Sequence, residues 1–108
     1  MSRDNDLAIL RALAEQYLEM TADPRQDELR QLWRDHNGLK PTRPLFWVRS
    51  GGFEHEVPEI THRECEDNFY AGYERFLRDQ LWRHGLGDDT VFEPWLTVGA
   101  RFKCDGWG

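Results

Sequence analysis

Three side chains that can bind a transition metal lie close together in the middle of the sequence: His55, His62 and Cys65. Two residues separate His62 from Cys65, which is a spacing found in zinc sites. A structural zinc site usually combines two such pairs, and the second cysteine, Cys104, lies far along the chain. Solvated histidines and a buried thiol are the commoner reading of this pattern. We therefore assign no metal ligands in this chain. The sequence alone does not decide whether His55, His62 and Cys65 bind a metal.

Arginine residues flank the short apolar run at 45–48. Arg43 and Arg49 lie on either side of the run, and Arg63 lies in the loop that follows. An Arg beyond the carboxyl end of a parallel strand is well placed to hold a substrate carboxylate or phosphate through two hydrogen bonds. The commoner alternative is a surface Arg paired with one of the many acidic residues. We take Arg43 and Arg49 as predicted substrate-binding residues.

Glu93 is a third candidate for substrate binding; it precedes Pro94 and Trp95 in an apolar stretch. A carboxyl group among apolar neighbours can have a raised pKa and act as an acid or base, although strand alternation can equally turn it toward water. We add Glu93 to the predicted substrate-binding residues. No spacing identifies a catalytic Ser-His-Asp or Cys-His set, and no glycine pattern matches a phosphate loop. The catalytic residues are therefore unknown at this stage.

The overall composition limits the classes of protein that the chain can belong to. Its 108 residues make at most one domain, and five Trp and six Phe indicate a compact core or an interface. The net charge of −6, with only two Lys among the cations, disfavours nucleic acid as a partner. There is no membrane-spanning apolar run and no signal-peptide pattern at the N-terminus. We therefore expect no membrane partner, a cytoplasmic location and two free thiols.

Apolar spacing predicts three helices. The first covers about 4–20, because apolar residues recur there every three or four positions. Asp23 is expected to cap the second helix, with Pro24 at its first position and Gln26 completing a capping box, and Gly38 is expected to end it in the left-handed conformation. Asp67 or Asn68 is expected to cap the third helix, whose apolar face runs from 69 to 84, and Gly85 is expected to end it.

Two extended segments complete the predicted order of elements. The run 45–48 is predicted to be a strand buried on both faces, and 91–98 an edge or bulged strand because Pro94 interrupts it. A long loop at 53–66 precedes the third helix. Two strands cannot form a parallel sheet alone, so the pattern predicts an incomplete α/β domain and a chain that is one piece of a larger protein.

The sequence resembles the N-terminal segment of uroporphyrinogen decarboxylase-like proteins over nearly its whole length. The matching elements, in order, are LRALAEQYLEM, DPRQDELRQLWRDHNGLKPTRPLFWV, VPEITHRECED, FLRDQLW, DDTVFEPWLTV and DGWG. Members of that superfamily are (β/α)8 barrels with the pocket at the carboxyl ends of the strands. Some decarboxylate the acetate side chains of a tetrapyrrole without a cofactor. Others move methyl groups between corrinoid proteins and thiols with the help of zinc.

The resemblance implies a division of this single partial domain into two parts. Residues 1–38 would be a leading helical hairpin, and 39–108 the first strand, loop, helix and second strand of a TIM barrel. No cofactor is expected in this chain, although zinc or a corrinoid is possible for the full-length parent. The partners implied are the remainder of the barrel or a second copy of the chain, with a corrinoid protein possible for the parent.

One departure from the family pattern limits the expected reaction. The tetrapyrrole decarboxylases carry the arginine-rich loop R-Q-A-G-R after the first strand, whereas WVRSGGFEHEVPE keeps a single Arg. One guanidinium cannot hold several carboxylates, so tetrapyrrole decarboxylation is disfavoured. Arg49 is the one residue that can be carried over, as a possible anion contact.

The main hypothesis is an N-terminal segment of a uroporphyrinogen decarboxylase-like barrel enzyme, of the methyltransferase-related branch, that is not catalytic alone. Its parent would be a lyase or a methyltransferase. Two alternatives come from other classes of protein. The chain could be a free-standing acidic α+β interaction module, or one subunit of a split barrel that binds a separately encoded remainder.

Overall fold

The computed structural model describes residues 2–49, 51–99 and 106. These residues contain four α-helices and no β-strand. The helices are α1 (Ser2–Thr21), α2 (Pro24–Asn37), α3 (Pro58–Thr61) and α4 (Asn68–His84), with a 3-10 helix at Glu54–Glu56. The predicted α/β class, with a strand, loop, helix and strand of a TIM barrel, is therefore wrong for the described residues, which form an all-helical structure.

The core lies between α1 and α4, which pack along each other. Leu13, Tyr17 and Met20 of α1 are buried against Leu77 of α4 and against Phe92, which comes from the irregular segment after α4. Spacings of four and three residues place the three α1 side chains on one face, as the sequence pattern predicts. The prediction of the first helix is confirmed, with ends one or two residues further out.

α2 begins where the sequence predicts, but its third residue has a different role. The Asp23 carboxylate accepts a hydrogen bond from the backbone N–H of Arg25 at 2.9 Å, which caps the helix. Gln26 makes no capping box, because its buried side-chain oxygen accepts from the backbone N–H of Phe92 at 2.8 Å. Phe92 has no strand partner, so a side chain from α2 satisfies its buried N–H.

The end of α2 is also where the sequence predicts, but a different residue takes the left-handed conformation. Gly38 has φ −85°, whereas Leu39 has φ +62°. The N–H of Lys40 donates to the O of Asp35 at 2.9 Å and the N–H of Leu39 to the O of His36 at 3.1 Å. This is the Schellman pattern, which needs a left-handed residue one position after the cap. The expectation for Gly38 is therefore wrong.

Acidic side chains replace the strand partner expected for 45–48. The N–H of Phe46 donates to Asp89 Oδ2 at 3.0 Å, and the N–H of Val48 donates to Asp88 Oδ2 at 2.7 Å. The one backbone bond between the two segments runs from the N–H of Asp89 to the O of Phe46 at 2.9 Å. Because carboxylates take the alternate N–H groups that a ladder would use, 45–48 is extended but is not a strand.

The second predicted strand, 91–98, is wrong for a related reason. Pro94 lacks an N–H, and the N–H of Trp95 donates to the O of Glu93 at 2.9 Å across it. This closes a three-residue turn that bends the chain. Since the N–H of Phe92 already bonds to α2, neither Phe92, Pro94 nor Trp95 has an N–H left for a strand ladder.

The predicted loop at 53–66 contains two short helical pieces, and its last part is held by buried carboxylates. Glu74 of α4 accepts from the N–H of Glu64 and Cys65 at 2.9 and 3.0 Å. Asp6 of α1 accepts from the N–H groups of the next two residues at 2.9 and 3.0 Å. Both carboxylates are fully buried, so they fix the loop to the helix pair from inside.

α4 starts and ends as predicted, but much of its apolar face remains open. The Asp67 carboxylate accepts from the N–H of Phe69 at 2.8 Å, and Gly85 ends the helix. Leu77 is buried, whereas Phe69 is 57% exposed and Phe76 is also exposed. The radius of gyration is 17.0 Å, above the roughly 13 Å of a compact chain of this length. The helices thus enclose only a small core.

Candidate functional site

A cleft with two indole rings in its walls lies where four parts of the chain meet. We call it the tryptophan cleft; its volume is about 440 Å³. Trp33 comes from α2, Trp47 from the extended segment 45–48, and Arg83 from the last turn of α4. The remaining walls are formed by residues 89–91. A cavity of this size is within the range of small-molecule sites.

Asp89 joins the walls of the tryptophan cleft to one another. Its carboxylate accepts from Arg43 Nη1 and Nη2 at 3.0 and 2.8 Å, and from the N–H of Phe46. Its backbone O accepts from Trp33 Nε1 at 2.7 Å. The hydrogen bond from Arg43 is the main cause that lowers the pKa of Asp89, and burial opposes it. Asp89 is therefore ionised and fully paired at neutral pH.

The structure places Arg43 and Arg49 at the edge of this cleft. Both terminal nitrogens of Arg43 donate to the carboxylate of Asp89, and this hydrogen bonding raises the pKa of the guanidinium. The guanidinium of Arg49 lies 5.1 Å from the centre of the Trp47 ring, in a cation–π contact. Their role in substrate binding stays a prediction, and the geometry assigns Arg43 a structural ion pair.

Glu93 is not brought together with the two arginines. It pairs with Arg30 of α2, whose Nη2 lies 3.3 Å from Glu93 Oε2. Its backbone O accepts a 2.6 Å hydrogen bond from the Tyr17 hydroxyl, and burial together with the charge of Glu93 raises the pKa of Tyr17. Glu93 thus ties the bend at Pro94 to α1 and α2.

Arg63 and the three potential metal ligands are engaged in local contacts. Arg63 donates to the backbone O of Cys65 and of Glu66, both at 2.7 Å. His62 Nε2 lies 3.0 Å from Glu64 Oε1, and His55 pairs with its neighbour Glu56. Burial, followed by the nearby charge of Glu74, raises the pKa of the Cys65 thiol to about 11. Among residues 2–49, 51–99 and 106, no three His, Cys, Asp or Glu side chains cluster as a metal site would require; Cys104 lies outside them.

Sequence reasoning missed two polar residues of the cleft. Arg83 Nη2 donates to the O of Val48 at 3.2 Å, while Arg83 Nε and Thr90 Oγ1 are buried and have no hydrogen-bond partner in the described part of the chain. Neither residue forms a motif with its sequence neighbours. Trp33 shares one face of α2 with Leu29 and His36, which is a usable signal, but an aromatic residue on a helix face predicts core packing first.

A second surface combines α1, α4 and the segment after Pro94. We call it the apolar face: Leu7, Leu10, Ala14, Phe69, Tyr73, Leu96 and Val98, which line a groove of about 380 Å³ together with Arg11, Tyr70 and Leu77. Phe69 is 57% exposed and Val98 69% exposed. An exposed apolar groove of this kind is a candidate surface for contact with other protein.

No family model matches the chain, and neither a curated protein nor a solved structure resembles it significantly. Within the described residues, none of the helices has both the length and the apolar character needed to span a bilayer.

Proposed function

We propose that this chain is the N-terminal segment of a larger uroporphyrinogen decarboxylase-like enzyme, of the methyltransferase-related branch, and that it is not catalytic alone. The observation that carries the proposal is the apolar face, which the described residues leave uncovered. Its occupant in the proposal is the remainder of the same enzyme. This choice of occupant rests on the six sequence elements quoted above, from LRALAEQYLEM to DGWG.

The distribution of aromatic residues supports the same proposal. Trp95 is 62% exposed, and Phe46 and Phe69 are each more than half exposed. A chain that folds as a complete domain places most such side chains inside, because each contributes about 1.5–3 kcal/mol when fully buried. Among the described residues, eleven large apolar side chains are exposed and eight apolar residues are buried, five of which form the cluster of α1, Leu77 and Phe92. Further protein surface would complete this core.

The engagement of the reactive side chains supports a non-catalytic role for the isolated chain. Arg43 and Glu93 are held in ion pairs, and the Cys65 thiol stays protonated near neutral pH. In the proposal, the reaction and any zinc or corrinoid belong to other parts of the parent, a lyase or a methyltransferase. A cytoplasmic location, with no nucleic acid or membrane as partner, is part of the same proposal.

The first test is the genomic sequence downstream of the Gly108 codon. The proposal expects an in-frame continuation of barrel length, whereas a stop codon with no matching reading frame nearby would contradict it. A stop codon followed by a separate matching reading frame would instead support the split-barrel alternative.

A physical test uses the purified 108-residue chain. We expect concentration-dependent association in sedimentation velocity and binding of a hydrophobic dye, because the apolar face is open to solvent. Leu96→Glu should reduce both signals, while Glu59→Gln, at an exposed position of α3, should change neither. A monomer with a sharp cooperative melt and no dye binding would favour a free-standing interaction module.

A further inference from the structure

We propose that the tryptophan cleft is a binding site for a planar aromatic carboxylate, with the ring between Trp33 and Trp47 and the carboxylate on Arg83. This inference does not depend on the proposed function, since it concerns a different surface from the apolar face. Its basis is the combination of two indoles and a guanidinium around one cavity of about 440 Å³.

The aromatic part of the ligand class follows from the two indole rings. Trp33 and Trp47 come from different elements and line the same cavity. An aromatic ring stacks against indole faces with favourable geometry, and such contacts add to the free energy of area burial. The cavity volume also leaves room for a fused two-ring system, within the usual range of small-molecule sites.

The anionic part follows from the unused donors of Arg83. A guanidinium has five N–H donors, and among the described residues Arg83 uses one of them, toward the O of Val48. Asp79, one turn earlier, is near enough for the charge of Arg83 to act on its carboxyl group, but no hydrogen bond joins the two side chains, and Asp79 Oδ1 and Arg83 Nε are both buried without a partner among the described residues. Asp89 in the cleft wall is already neutralised by Arg43. A ligand carboxylate would therefore find donors of Arg83 that no other side chain occupies, with the Asp79 carboxylate nearby.

The walls are fixed before any ligand arrives. Trp33 Nε1 is bonded to the backbone of Asp89, and Asp89 is bonded to Arg43 and to Phe46. The neighbouring Val48 is held by the carboxylate of Asp88 at 2.7 Å and by Arg83 at 3.2 Å. A site whose walls are held in place loses little conformational entropy on binding, which favours affinity.

The experiment is isothermal titration calorimetry of the 108-residue chain with 2-naphthoate at neutral pH. We expect saturable one-to-one binding, and much weaker binding of 2-naphthalenemethanol, which has the same ring without the charge. Arg83→Gln should weaken the binding of 2-naphthoate at least tenfold. Arg75→Gln, an exposed position on the same helix, should leave it unchanged.

A second pair of variants keeps the test decisive if Arg83→Gln does not fold. Trp47 is 50% exposed and Trp95 62% exposed, so both tolerate substitution, but only Trp47 lines the cleft. Trp47→Leu should weaken the binding of 2-naphthoate severalfold and Trp95→Leu should not. Absence of binding at millimolar 2-naphthoate would overturn the proposal. So would binding that is equally affected by both substitutions or by neither.

Discussion

At the residue scale, the fold depends on a few buried oxygen atoms that accept hydrogen bonds from loop N–H groups. Asp6 and Glu74 hold the loop before α4, Asp88 and Asp89 hold 46–48, and Gln26 holds Phe92. A buried N–H without a partner costs about 1–3 kcal/mol of stability. Each of these side chains therefore makes a large contribution to the free energy of unfolding by providing an acceptor. The sequence predicts none of these roles, because the four acidic residues are first interpreted as surface residues and Gln26 as part of a capping box.

Replacing the buried Glu74 with Gln should destabilise the chain by about 1–3 kcal/mol. The amide keeps one acceptor oxygen, but its NH2 group faces N–H donors of Glu64 or Cys65 and it loses the charge that pairs with Arg78. Chemical denaturation monitored by far-UV dichroism measures the loss. Glu59→Gln is the matched control because its side chain is exposed, and equal stability of the two variants would contradict the assignment.

The same carboxylate makes stability depend on acid pH. Burial alone would raise the pKa of Glu74, but the N–H groups of Cys65 and Glu64 and the guanidinium of Arg78 outweigh it and lower the pKa. A lowered folded-state pKa contributes stability that is present above the unfolded value, about 4.3, and is lost as the pH falls through the folded value. We therefore expect the melting temperature to fall below about pH 4. The fall should be shallower in Glu74→Gln, and an identical profile in both proteins would argue against this.

Leu39 is the residue whose substitution should stabilise the chain. Its φ of +62° costs a non-glycine residue roughly 1 kcal/mol. Because its side chain is 94% exposed, no burial of apolar surface offsets this strain. Leu39→Gly should raise the melting temperature by a few degrees, partly offset by the greater freedom of Gly in the unfolded chain. Leu39→Ala keeps the strain and is the control. A rise of equal size in the Ala variant would show that strain is not the cause.

At the element scale, the helices could be predicted from the sequence and the strands could not. The three long helices carry apolar residues at helical spacing, and α2 and α4 start at the Asp23 and Asp67 caps; both features are local signals. The run 45–48 has equally clear β propensity, but whether it pairs depends on what lies beside it. Here Asp88 and Asp89, some forty positions away, provide acceptors in place of a strand. The same dependence on distant partners hid the tryptophan cleft, whose walls come from two separate parts of the sequence, 33–47 and 83–91.

The bond between 45–48 and 88–91 is testable through Asp89. Asp89→Asn should leave Arg43 without its charged partner, weaken the acceptor for the N–H of Phe46, and destabilise the chain by about 1–3 kcal/mol. Amide hydrogen exchange should become faster at Phe46. The exchange rate of the Leu77 N–H in α4 should change only as far as the global stability of the chain changes. Asp27→Asn, with a side chain that is 84% exposed, is the control. Unchanged exchange at Phe46 would show that Asp89 does not hold this segment.

At the scale of the whole molecule, the small core and the open apolar face have one cause. α1 and α4 cover one side of each other, and the bent segment after Pro94 covers only part of what remains. The sequence indicated this shortage of cover through its many aromatic residues, although it attributed the shortage to two unpaired strands. In the structure the uncovered surface belongs to helices and to an irregular segment instead.

The most direct test of this account is carbene footprinting of the apolar face, read out at Leu7, Phe69 and Leu96. The 108-residue chain is compared with the longer product that the proposal expects from an in-frame continuation after the Gly108 codon. We predict strong labelling of these residues in the short chain and protection in the longer product, while the exposed Glu59 is labelled equally in both. Protection already present in the short chain, or equal labelling of the face in both proteins, would contradict the account.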